Sequence, residues 1–342
     1  MLCATHGGRG WPLRMSEGVM TMANIKDVAA LAGLSAACVS KYLKSPDSVL
    51  PSSRERIQAA IEQLNYIPSR TARSLRTKKT LAIRVVMQRI DNPFFAEMFE
   101  GLRRELELAG YTALLQNTDR EPAAEDFTGV DGVIFCFGDD ERMIAAISEL
   151  ITGRLPMVCM HWREPRFEHP AVWVDVSDGM RLAAEFLLDE GCRDFAYVGG
   201  PRDSVISAFK FGGVRSALGE AGVFVGPGRI FHGDFSFQTG YDAAKALVRS
   251  GALPQAVFCE TDELAAGVIC GFYRQGVAVP EQVRVTGFNN TPLAEMYIPS
   301  ITSIALPFAE ICSQAARLMM CSLDGQTPEN VCVRPVLIER RS

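Results

Sequence analysis

The stretch 24–43, NIKDVAALAGLSAACVSKYL, reads as two short helices hinged on a glycine, and it constrains the fold more than any other part of the chain. Apolar Ile25, Val28, Ala29 and Ala32 recur with the spacing of one amphipathic helix face, and Gly33 closes that helix. Ser35 has the short hydroxyl that suits an N-cap, so a second helix is expected to start at Ala36, with Val39 and Leu43 packing back on the first. This spacing predicts a helix-turn-helix, whose second helix enters the DNA major groove. A third helix is expected over 49–66, with Pro51 in its first turn, Ser52-x-x-Glu55 as a capping box and Ile57, Ile61 and Leu64 as its stripe. The basic segment 67–79 follows, too short and polar to make a core of its own, so 69–76 is expected to order only on DNA.

Charge is placed unevenly. Residues 22–80 carry +6 and residues 1–21 carry +1, so the net charge of −5 leaves −12 for the chain from Leu81 onward. A basic head on an acidic body suits a protein that meets phosphates at one end only. The ten cysteines form no Cys-x-x-Cys pair and no Cys/His cluster of zinc-finger spacing. They read as small buried hydrophobes in a reducing cytoplasm, Cys136, Cys159 and Cys259 among them, and no metal or cofactor is expected. No apolar run is long enough to span a bilayer. Residues 1–21 lack the apolar core of a secretory signal and read as a disordered leader, with Met15, Met20 and Met22 as alternative starts.

From Leu81 the pattern changes to short β-type runs alternating with helical stretches, the mark of an α/β domain with parallel sheets. Strands are expected at 81–87, 112–116, 132–137, 156–160, 195–198, 256–259, 283–287 and 301–305, and helices at 95–109, 179–190, 207–221, 237–250, 262–275 and 307–323. These suit two Rossmann-like lobes with a ligand at the carboxyl ends of the strands between them.

In order and spacing, IKDVAALAGLS, VSKYL, RERIQAAIEQLNYIP and ARSLRTKKT resemble the lactose-repressor (LacI/GalR) family of bacterial transcription factors. The likeness continues through Asp91-Asn92-Pro93-Phe94-Phe95, residues 195–200, residues 258–262, Gly287-Phe288 and Pro307-Phe308. It implies an all-α helix-turn-helix head (22–68) and a hinge helix (69–79) leading to a two-lobed core of periplasmic-binding-protein type (80–342). The first lobe would span 80–177 and 308–330, and the second 178–305 and 331–342. It further implies a homodimer, a repressor more often than an activator, whose affinity for palindromic operator DNA is shifted by a small effector, usually a sugar. The chain ends without a heptad tail, so no coiled-coil tetramer is expected.

By the same resemblance DNA is contacted by Ile25, Ser35, Ala36, Ala37, Ser40 and Lys41 of the head and by Ser69, Ala72, Arg73 and Leu75 of the hinge. Leu75 would wedge between bases in the minor groove. The effector would be held by Asn92, Phe94, Phe95, Gln116, Arg163, Asp175, Lys210, Phe235, Thr261, Asp262, Asn289 and Phe308. For several of these the residues leave two roles open. The four phenylalanines are either core rings or stacking faces for a sugar, and Asp175 and Asp262 either cap helices or line the cleft.

Ala36 and Ala37 stand where the family often has longer polar side chains, so base reading is expected to use thymine methyls. Between Asp119 and Val130 there is too little chain for the family's usual helix, so one face of that lobe is expected to be thinly covered. The family's Gly-Phe-Asp-Asp appears as Gly287-Phe288-Asn289-Asn290, an Asn becomes Thr261, a Gln becomes Leu306, and Lys210 replaces a common Arg. Loss of two carboxylates, with Lys210 and Arg163 nearby, suggests a sugar acid or sugar phosphate, with a neutral sugar as the rival. Other classes fit less well. A secreted solute-binding protein would not carry the basic head, and an enzyme would need a phosphate-binding glycine motif or a nucleophile with its base.

Overall fold

A computed structural model describes residues 23–66, 79–87, 93–117, 121–136, 141–161 and 169–342. The chain divides into two units, Met1–Lys78 and Lys79–Ser342.

In the first unit α1 (Ile25–Ala32) and α2 (Ala36–Lys44) form as the sequence predicts. Asn24 caps α1 by accepting from the Lys26 amide, while the Asp27 carboxylate accepts from the Asn24 amide, a reciprocal box that satisfies two otherwise orphaned donors. Gly33 takes the left-handed φ of 61° that ends α1, and Arg56 donates to its carbonyl at 3.2 Å. Ser35 caps α2 through the Cys38 amide. The third helix, α3 (Pro51–Leu64), starts at Pro51, so the capping box expected at Ser52 and Glu55 does not form. Ser52 is then the second residue of the helix rather than its cap, and the proline already removes one amide that would need a partner. Val28, Ala29, Ala32, Val39, Tyr42, Ile57, Ala60 and Tyr66 make the buried core, with Leu43, Ile61 and Leu64 packed partly against it.

The second unit holds two six-stranded sheets among its described residues. The first runs β11 (Val331–Val333), β5 (Ala171–Val174), β4 (Met157–His161), β3 (Gly132–Cys136), β1 (Ala82–Met87), β2 (Thr112–Asn117), and all its pairs are parallel. The second runs β12 (Val336–Ile338), β10 (Thr302–Ala305), β9 (Arg284–Asn289), β8 (Ala256–Cys259), β6 (Phe195–Gly199), β7 (Ile230–His232), and only β12 is antiparallel to its neighbour. On the first sheet, α4 (Pro93–Leu108) and α11 (Phe308–Leu323) bury one face, and α5 (Glu141–Ile151) with Phe127 buries the other. On the second, α6 (Val176–Asp189) and α7 (Val205–Glu220) cover one face, and α8 (Phe237–Arg249) and α9 (Asp262–Arg274) the other.

One expectation changes here and another is met. Residues 331–333 were assigned to the second lobe, yet β11 pairs with β5 in the first sheet, so the last crossing between lobes falls between Val333 and Val336. The short connection after β2 carries only a 3-10 turn, Ala124–Phe127, anchored by buried Phe127. Thr112, Ala113, Leu114, Leu115 and Gln116 are accordingly all half-buried, the thin cover that the spacing predicts. Cys136, Cys159 and Cys259 are fully buried, and burial pushes the Cys159 thiol up to about 12. No helix among the described residues is long and apolar enough to cross a membrane.

Candidate functional site

On the head, the buried side of α2 is Val39 and Tyr42, and its exposed side is Ser35, Ala37 and Lys41, flanked by half-buried Ala36 and Ser40. Ile25 is half-buried against the head's core. The Ser35 oxygen is engaged as the cap of α2. Ser69, Ala72, Arg73 and Leu75 lie outside the described residues, as do Asn92 and Arg163.

In the core, the remaining candidates sit at the carboxyl ends of strands or on the segments that follow them, which is where open α/β sheets bind ligands. In the first lobe, Phe94 meets Phe95 edge-on with centroids 5.0 Å apart, and Phe308 with centroids 5.4 Å apart. Phe94 and Phe95 are buried, so they are core rings, and Phe308 is the half-buried member of the trio. Gln116 ends the half-buried part of β2, and its amide oxygen is buried with no hydrogen-bond partner. Asp175 caps α6 by accepting from Ser177 and Asp178 amides at 2.9 and 3.0 Å. His161, which the sequence reading passed over, ends β4 at the same edge and is 8% exposed.

In the second lobe, Thr261 caps α9 through the Leu264 amide. Asp262 is buried, and it ties three segments together. One carboxylate oxygen accepts from the Thr291 amide and hydroxyl at 2.7 and 2.9 Å, the other from the Ser303 hydroxyl. Asn289 ends β9 with φ 95°, and its side-chain oxygen is buried without a donor. Asn290 does not share that wall. It accepts from Arg340 at 2.6 Å. Phe235 adopts a left-handed φ of 63°, and its ring lies where a side chain on Gly200 would have to go. The turn before it is pinned by Asp234, whose carboxyl is held down at about 2 by hydrogen bonds from Ser236 and Thr239.

Lys210 is the largest departure from a surface role. It is 3% exposed, donates to the Glu260 carbonyl at 2.7 Å, and stands 3.9 Å from the centroid of the Phe288 ring. Glu260 itself is fully buried, taking one hydroxyl on each carboxylate oxygen, from Tyr197 and from Ser207, both at 2.6 Å. The sequence signal for Glu260 was a carboxylate directly after the all-apolar run 256–259.

Residues 24–69 match the family described as bacterial regulatory proteins, lacI family, and residues 184–342 match a periplasmic binding protein-like domain. The chain is 33% identical to catabolite control protein A of Priestia megaterium over 326 residues, 93% of this chain and 98% of that protein. The chain belongs to the LacI family. It is also 30% identical to the HTH-type transcriptional repressor PurR of Erwinia tasmaniensis over 332 residues, 94% of this chain and 97% of the other. Such relatives are transcriptional regulators and not enzymes. The lac repressor dimer bound to operator and the anti-inducer ONPF superposes with a TM-score of 0.80 at 22% identity, covering 93% of this chain and 98% of that one, which establishes the fold. A complex of the transcriptional regulator CelR with cellobiose superposes at 0.68 with 27% identity, over 94% and 99%.

Within this LacI-family core, Asp262 gives a pH-dependent prediction. Burial raises its carboxyl from 3.8 to about 6, against the opposing hydrogen bonds of Ser303 and Thr291. The folded core therefore binds the proton more tightly than the unfolded chain, and stability falls as pH rises from about 4 to 6, by about 3 kcal/mol in all. Asp262→Asn removes this titration, so the stability of the variant minus that of the wild type should grow by about that amount between pH 4 and 7. Urea unfolding at a series of pH values measures it, and a difference independent of pH would refute the assignment.

Proposed function

We infer that this chain is a sequence-specific DNA-binding repressor of the cytoplasm, acting as a homodimer on a palindromic operator under control of a small carbohydrate-type effector held between the core lobes. The observation that carries the reading is α2, a capped helix with Val39 and Tyr42 locked into a core and Ser35, Ala37 and Lys41 presented outward. Lys41 serves phosphate or base, and the alanines serve thymine methyls.

Three features support the rest. Phe237, Tyr273, Met296 and Ile298 expose apolar surface on α8, α9, α10 (Pro292–Met296) and the segment after it, as a second copy of the chain would cover. The donor-lacking amide oxygens of Gln116 and Asn289 suit ligand hydroxyls, which can donate to both. The relative in complex with cellobiose is a sugar-bound regulator of the same fold.

A band shift with a palindromic duplex from upstream of the gene, with and without candidate sugars, tests the reading. Replacing the operator thymines by uracil should weaken binding about fourfold per contacted methyl, from about 0.8 kcal/mol of buried carbon. Unchanged affinity would exclude methyl reading by Ala36 and Ala37.

A further inference from the structure

Tyr42 brings a hydroxyl to the contact between α2 and α3. Its ring belongs to the buried core of the head with Val39, Ile57 and Ala60, and its hydroxyl donates to the Gln58 side-chain oxygen at 2.6 Å. Gln58 is exposed, yet both ends of its amide are engaged, because the amide nitrogen donates to Glu62 at 2.7 Å, one turn further along α3. A carboxylate only accepts, so Glu62 fixes which end of the amide faces it and leaves the oxygen to receive the Tyr42 hydroxyl. The three side chains form a relay of two hydrogen bonds with a defined direction. At the other end of α2, Arg56 of α3 donates to the Gly33 carbonyl in the turn that leads into it. α3 thus holds α2 by a directional bond near each end, from residues two apart in sequence. Apolar contact, by contrast, has no preferred direction and lets a short helix roll on its neighbour.

That roll matters for reading bases with this helix. Ala36 and Ala37 present only methyl groups, and a gap of about 0.5–1 Å forfeits roughly a quarter to a half of a van der Waals contact. Lys41 has a long flexible arm and a charge, so its hold on phosphate tolerates such a shift.

We propose that Gln58 is a positioning residue for operator recognition. Acting through the Tyr42 hydroxyl, it sets the roll of α2 and so aligns the Ala36 and Ala37 methyls with the duplex, while Glu62 holds the Gln58 amide in the required sense. The inference rests on the DNA-binding reading above.

Band shifts of the full-length dimer on the palindromic upstream duplex and on an unrelated duplex of equal length test it, with the ratio of the two affinities as the readout. Gln58→Glu sets two carboxylates against each other, and the ratio should fall about tenfold, the worth of one hydrogen bond. Adding Glu62→Gln restores a donor opposite the new carboxylate, keeps the wild-type charge of the head, and should return most of the lost ratio. Tyr42→Phe keeps the ring and loses the hydroxyl. It should show the same fall, and its binding to the palindromic duplex should no longer respond to replacement of thymine by uracil. In that background Gln58→Glu should lower the ratio no further. Amide exchange at Val28 and Ile57, both buried in the head, should show that the head stays folded throughout. Should Gln58→Glu leave it unfolded, Tyr42→Phe decides by the same ratio. An unchanged ratio in either single variant, or no rescue by Glu62→Gln, overturns the proposal, as does a fall seen only where protection of those amides is lost. A wild type that binds both duplexes equally defeats the DNA-binding reading and the positioning role with it, whereas the other adverse results overturn the relay alone.

Discussion

Val39→Asp should abolish specific operator binding while leaving the core folded. Val39 is fully buried in a head whose core consists of a few small side chains, two tyrosines and Ile57. The substitution loses the valine's burial and forces an unpaired carboxylate against that core, a cost of at least about 4 kcal/mol, more than so small a unit can spare. Specific binding should fall to the non-specific level, a loss of about a thousandfold or more in a band shift. Because residues from Lys79 onward form a separate unit, the Tm of the core should be unchanged. Operator affinity within tenfold of wild type would show that α2 is not held as described.

Gly267→Val should be the most damaging single change in the core. Helices α8 and α9 touch backbone to backbone. A side chain at Gly267 would overlap the Phe237 carbonyl and stand 2.9 Å from the Tyr241 amide nitrogen, and one at Gly240 would overlap the Leu264 carbonyl. Main chain cannot rotate out of the way, so the helices must separate, at a cost of about 3 kcal/mol or more and a Tm loss of roughly 6–12 °C. The same helices carry Phe237 and Tyr273 of the proposed dimer surface, so on that proposal dimerisation should weaken in parallel, as sedimentation would show. Gly212→Ala, in α7, is the control. A side chain there meets nothing within 4 Å, and the change should be neutral or slightly stabilising. Equal effects of the two substitutions would contradict the packing.

The parts legible in the sequence were those with a long period. The apolar stripe of α1, the cap at Ser35 and the strands β1, β3 and β8 follow from spacing alone. β5, β7, β11 and β12 were not anticipated, because runs of three or four residues are too short to show alternation, and three of these four lie at sheet edges where half the surface is polar. α10 is a single turn and a half begun by a proline, and reads as a loop. Around the candidate site, the sequence did not show the directions of side chains. Asp262 turns inward to Thr291 and Ser303, Asn290 turns to Arg340, and Glu260 enters only because Tyr197 and Ser207 converge on it from elements more than fifty residues away.

The late position of β11 and α11 in the chain also sets an order of events during synthesis. The five strands of the first sheet from β1 to β5 are made early, yet the helix that buries Ile311, Ala315, Leu318 and Met319 against them, and the strand that covers the β5 edge, follow β6 to β10 of the second sheet in the chain. Nearly all of the second lobe lies between the two parts. The first lobe therefore spends most of translation with one face and one edge unprotected, a topology of high contact order that folds slowly and exposes sticky surface meanwhile. The first lobe thus owes its finished face and edge to chain that is made only after nearly all of the second lobe.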